Sequence, residues 1–159
     1  LLTILQARGL ELASAVALGA LVGPSQVGGR LFEMMFGKHY QPVHTLILAA
    51  VLLAVGLGLL AGGFSVLPIA LVTYGAGAGI ASIARGTLPL AVFGPQHYAI
   101  WVGRLAGPSL ITGALSPTIA AVLLERIGAT ATLYVLAGLA LLAILIALLL
   151  WRERGRGGE

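Results

Sequence analysis

Charged residues punctuate this chain so sparsely that the intervals between them define its elements. No Asp, Glu, Lys or Arg occurs in residues 12–29, 39–84, 105–124 or 127–151. A helix crossing a hydrocarbon layer of about 30 Å needs about 20 residues. Three of these intervals therefore hold one span each. The interval 39–84 holds two, hinged at Gly62-Gly63-Phe64-Ser65, with Pro68 suited to the first turn of the following helix. The pattern predicts five transmembrane helices near 12–29, 43–61, 67–84, 105–124 and 130–151. Lipid offers no partner for an open strand edge, and a barrel strand would alternate apolar and polar residues, whereas Leu133–Leu150 shows no alternation. The expected fold class is an all-α membrane protein, a polytopic helical bundle.

The stretch 86–103 is also charge-free, but it holds Pro89, Gly94-Pro95 and the polar run Gln96, His97 and Tyr98. It reads as a short interfacial piece plus a loop. Charge parity supports this reading. With five spans, Arg30, Lys38, Arg85, Arg104, Arg152, Arg154 and Arg156 share one side, against Arg8 and Arg126 on the other. A sixth span would divide the same residues almost evenly. Lys and Arg accumulate in cytoplasmic loops, so the expectation is a multi-pass protein of a bacterial-type inner (plasma) membrane with its C-terminus in the cytoplasm. Residues 152–159 read as a solvated basic tail, with Trp151 at the membrane boundary.

Composition reinforces the class. Hydrophobic residues make up 59% of the chain and charged residues 9%, and the mean hydropathy is +1.06. Soluble domains carry about 25% charged residues to wet their surface. The net charge of +4 is dispersed among apolar runs rather than clustered on one face, which excludes a nucleic-acid partner. The chain has no Cys, so thiolate metal sites and cysteine nucleophiles are excluded. His39, His44 and His97 lie in or beside predicted loops without ligand spacing, and neither a metal nor a cofactor is expected. The first residue is Leu1 and no signal peptide opens the chain, which suggests that further N-terminal helices precede it.

Glycine and proline mark where helices touch or bend. Gly19 and Gly23, Gly58 and Gly62, Gly75 and Gly79, and Gly103 and Gly107 are spaced by four, which puts each pair on one helix face where a neighbour can approach. Pro24, Pro108 and Pro117 lie within or near the ends of spans, where each removes a backbone donor and favours a kink. The packing or hinge candidates are Gly23, Pro24, Gly75, Gly79, Gly107, Pro108 and Pro117. No ionisable group lies well inside a span. Gln26, Tyr74, Ser82, Ser109, Thr112 and Ser116 are the intramembrane polar candidates, with Arg85 at the end of the third span. For the hydroxyls, bonding to their own helix competes with a pathway role. Gln26 has no such local outlet, because a primary amide in lipid needs partners. For Arg85 the competing role is an interfacial anchor.

The order of features resembles the major facilitator superfamily of transporters. The run Gly23-Pro24-Ser25-Gln26-Val27-Gly28-Gly29-Arg30 ends a helix and enters a charged loop, Glu33 to Lys38. Arg85-Gly86-Thr87-Leu88-Pro89, a polar loop, and Gly103-Arg104-Leu105-Ala106-Gly107-Pro108 follow. Gly29 and Glu33 keep the first spacing of the family's loop signature, with Met34 in place of its Arg. The resemblance covers essentially the whole chain and is to helices eight to twelve. It implies a twelve-helix protein in two halves with alternating access to a central cavity. It further implies that spans 12–29, 67–84 and 105–124 line the pathway, at Gln26, Tyr74, Ser82, Arg85, Thr112 and Ser116, while 43–61 and 130–151 face lipid.

The expected function is transmembrane transport of a small solute, with any proton-carrying carboxylate on helices outside this chain. The alternative is a non-catalytic membrane subunit of a channel or permease complex. An intramembrane enzyme would need a nucleophile with its base, or paired carboxylates, at membrane depth, and the sequence offers neither.

Overall fold

The computed structural model describes residues 5, 6, 9–39, 41–62 and 66–156. Among them there is no strand. Helix α1 spans Leu12–Gly19 and α2 spans Val22–Phe36. The intervening Ala20 and Leu21 keep right-handed helical angles, so the two form one bent rod. A short 3-10 turn, Gly37–His39, leads to α3 at Pro42–Gly62. The last element, α4, covers Leu67–Arg156 and is broken twice, at Gly94 (φ 71°, ψ 169°) and Gly128 (φ 80°, ψ 170°). Its three arms are 67–93, 95–127 and 129–156.

Local chemistry explains these boundaries. Pro42 and Pro68 occupy first turns, where a missing N–H costs nothing. The backbone angles at Gly94 and Gly128 are open to glycine alone, so each reverses the chain in a single residue. Pro95 then starts the middle arm. Three helical stretches, Leu12–Phe36, Pro42–Gly62 and Leu67–Leu149, are long and apolar enough to cross a membrane. Much of the apolar side-chain surface is outward: Leu110 is 73% exposed and Met34 71%. Such a surface is compatible with a bilayer and costly in water.

The helices run up and down between two ends. At one end the His44 ring lies 6.1 Å from that of Trp151, so the start of α3 and the close of the last arm are neighbours. Phe93 stacks on Trp101 at 4.5 Å across the Gly94 turn, with the Arg104 guanidinium 5.3 Å from the Trp101 ring. At the opposite end Leu57, Leu60, Leu67, Leu71 and Leu133 form a buried cluster with Leu5 and Ala15. Arg30, Arg85, Arg104 and Arg152 therefore lie toward the same end.

Tight packing centres on the first arm. Its run Tyr74-Gly75-Ala76-Gly77-Ala78-Gly79 is clasped between α2 and α3. A Cβ on Gly75 would stand 2.7 Å from the Ser25 Cβ, and one on Gly79 would strike the Gln26 carbonyl oxygen. From the other side, a Cβ on Gly29 would stand 2.5 Å from the Ala76 carbonyl oxygen. Toward α3, Gly77 faces Leu52 and Leu53, and Gly56 faces Tyr74.

Several expectations are corrected here. The helices extend beyond the predicted spans, and the charged loop expected from Glu33 is helical to Phe36. The loop expected in 86–103 is helical except at Gly94, because Pro89 is absorbed within the first arm and Pro95 opens the next. The tail stays helical to Arg156, and residues 157–159 lie outside the described residues, as do Arg8 and residues 63–65 of the expected hinge. Span 43–61, expected to face lipid, buries Val43, Ala49, Ala50, Leu57 and Leu60 because glycine draws it onto the first arm. The middle arm is largely exposed, and Val102, Leu105, Ala106 and Ser109 on it border open space.

Gly79→Ala should destabilise the bundle by about 1–3 kcal/mol, since its methyl meets backbone that cannot yield cheaply. Gly58→Ala, with nothing within 4 Å, should be neutral or gain up to about 1 kcal/mol from helix propensity. Thermal unfolding in detergent measures both, and equal stability of the two variants would refute the clasp.

Candidate functional site

Arg85 borders two open spaces. It lines a cavity of about 350 Å³ whose walls are otherwise apolar, with Leu46 from α3, Leu88 and Pro89 from the first arm, and Val102, Leu105 and Ala106 from the middle arm. It also lines a shallower groove of about 420 Å³ with Pro108, Ser109, Thr112, Gly113 and Ser116. Arg85 and Ser109 border both spaces. The predicted candidates Arg85, Thr112 and Ser116 are thus brought together, although they come from separate arms. The Gly94 reversal lays one arm beside the other.

The hydroxyls in this groove are committed in different ways. Thr112 Oγ1 donates to the Pro108 carbonyl at 2.7 Å, and Ser116 Oγ donates to the Gly113 carbonyl at 2.9 Å. The second bond has a local cause. Pro117 lacks the N–H that would bond Gly113, and Ser116 supplies the missing donor. With their hydrogens used, the Thr112 and Ser116 oxygens can only accept from a bound molecule.

The other candidates lie elsewhere. Ser82 accepts from Arg30 Nε at 3.0 Å and donates to the Gly79 carbonyl at 2.6 Å, so it joins α2 to the first arm. Tyr74 packs against the buried leucine cluster at the far end. The Gln26 backbone is pressed on Gly79, while its half-buried amide has no hydrogen-bond partner among the described residues. Gly75 and Gly79 sit at the helix crossing. Gly23 and Gly107 have nothing within 4 Å, so no neighbour approaches through them. Pro24 falls in the first turn of α2, and Pro108 and Pro117 lie in the exposed middle arm.

One ionisable group was hidden by the loop reading. Glu33 is only 7% exposed, and Thr45 Oγ1 of α3 donates to its Oε1 at 2.5 Å. Its carboxylate folds back over Gly37, where any Cβ would collide with it. The pair borders a cavity of about 230 Å³ lined by Phe32, Phe36, His44 and Leu48. The spacing of Glu33 from Thr45 across a turn carries no sequence signature, since the contact exists only once α3 folds back on α2. Among the described residues no three His, Asp or Glu side chains gather to hold a metal.

Comparison with known proteins identifies no relative: no family model, no curated protein and no solved structure matches the chain.

Thr45→Val should leave the Glu33 carboxylate buried without its donor and cost about 1–3 kcal/mol. Thr45→Ser should keep most of the stability, and Thr45→Val with Glu33→Leu should recover part of it. Urea unfolding in micelles would rank the three, and a wild-type midpoint for Thr45→Val would dismiss the pair as structurally idle.

Proposed function

We propose that this chain is a membrane-embedded part of a secondary transporter of the major facilitator type, carrying a small solute by alternating access. The observation that carries this reading is the Arg85 groove, where a cation and three hydroxyl side chains from two different arms meet beside an apolar cavity. Polar groups at membrane depth are costly unless they meet a ligand, water or one another. Pro108 and Pro117 each remove a backbone donor beside or next to the same groove, a loss more easily met where a helix lines a cavity than where it faces lipid.

Five spans follow if α1 with α2, α3 and the three arms of α4 each cross once. Further helices of the whole protein would then cover the exposed polar face of the middle arm. The grouping of Arg30, Arg85, Arg104 and Arg152 at one end supports a cytoplasmic location for that end.

Two experiments test this reading. A reporter fused after Glu159 should be active only in the form that works in the cytoplasm, and a signal from the opposite compartment would invert the topology. In the Cys-free background, Thr112→Cys should react with an impermeant maleimide from either membrane face, at rates that shift when solute is added. Labelling from one face alone under all conditions would rule out alternating access at this groove.

A further inference from the structure

We infer that the Arg85 groove and its adjoining cavity form one binding site for an amphiphilic anion, a molecule with a negatively charged head, hydrogen-bond donors on that head and an apolar tail. This rests on reading the groove as a solute site, and it names the class of solute.

The charge requirement comes from Arg85. A guanidinium keeps its charge throughout the physiological range and cannot escape an apolar setting by losing a proton. Arg30 spends a donor on Ser82, and Arg104 lies over the Trp101 ring. Arg85 has no ion pair among the described residues. Of the carboxylates whose side chains are described, Glu33 is held by Thr45, Glu11 precedes α1, and Glu125 lies close to the Gly128 reversal at the opposite end. Arg85 sits eight residues before the last residue of its arm, about 12 Å along the helix, with its side chain exposed where it borders the two spaces.

The remaining walls define the rest of the ligand. Thr112 and Ser116 already donate to backbone carbonyls, so their oxygens favour a head that carries donors such as hydroxyls. The second compartment, of about 350 Å³, is within the range that accommodates small organic molecules and is walled by Leu46, Leu88, Val102 and Leu105. A purely polar anion would leave that compartment empty, and a neutral lipid would leave Arg85 unpaired. Because Arg85 and Ser109 border both spaces, head and tail of one molecule can occupy them together. The same chemistry could arrive from the bilayer, as an anionic lipid, or from water, as an organic acid or phosphate ester with an apolar chain.

Binding of radiolabelled 1-decanoylglycerol 3-phosphate, whose head carries a phosphate and a free hydroxyl, to the chain in phosphatidylcholine nanodiscs tests the inference. Saturable binding is expected, with methyl phosphate and decyltrimethylammonium failing to compete. Arg85→Gln should weaken it about tenfold or more, as loss of a charge-assisted contact does, while Arg85→Lys should retain part of it. Ala106→Phe, which fills the apolar compartment without touching the charge, should weaken it as well. Displacement of the probe by phosphatidylglycerol in the disc would identify the bilayer as the source, and its absence would identify the aqueous phase. Equal binding to wild type and Arg85→Gln, effective competition by the ammonium amphiphile, or no saturable binding would each overturn the site. Binding without two-sided labelling at Thr112→Cys would sink alternating access alone. Two-sided labelling without Arg85-dependent binding would sink this inference alone.

Discussion

The closeness of three helices at the Tyr74–Gly79 run is the constraint on which the rest of the architecture depends. Apolar side chains gain little by leaving lipid for one another, so helix association in a bilayer relies on close packing and polar contacts. Glycine on the first arm of α4 lets α2 meet it on one side and α3 on the other, with backbone nearly touching backbone. Everything nearer the arginine-rich end is positioned from that crossing. It sets Arg30 opposite Ser82, and it brings α3 close enough for Thr45 to reach Glu33.

The polar groups then divide into those that serve the bundle and those left over. Ser82, Thr45 and Glu33 serve it, because each has a partner on another helix. Ser116 is intermediate: its hydroxyl repairs the backbone defect that Pro117 creates, yet its oxygen still borders the groove. Arg85 is left over. It borders two open spaces, and the Thr112 and Ser116 hydroxyls beside it have spent their hydrogens.

The two glycine reversals matter as much as the crossing. At Gly94 and Gly128 a single residue turns the chain, so no polar loop is needed and helix continues on either side. This is why proline and polar residues in 86–103 are poor markers of a loop here. Pro89 lies within an arm, Pro95 starts one, and Gln96 and His97 are simply exposed positions in the first turn after it. The same economy brings Arg85 and Ser109, which are far apart in sequence, to the border of one cavity.

The sequence alone determined the helical, apolar class, because charge spacing reports directly on what lipid tolerates. It also singled out Gly75 with Gly79, since spacing by four is a property of one helix. It could not distinguish these from Gly23 or Gly107, which have the same local look and no neighbour. Nor could it show Glu33 as a buried carboxylate: burial there depends on α3 returning over α2, an event of chain geometry rather than of composition. Thr112, Ser116 and Arg85 were legible as polar residues in apolar runs, but not as one groove. Only the tertiary structure decided that, because a glycine reversal must first fold the middle arm against the first before their side chains share a space.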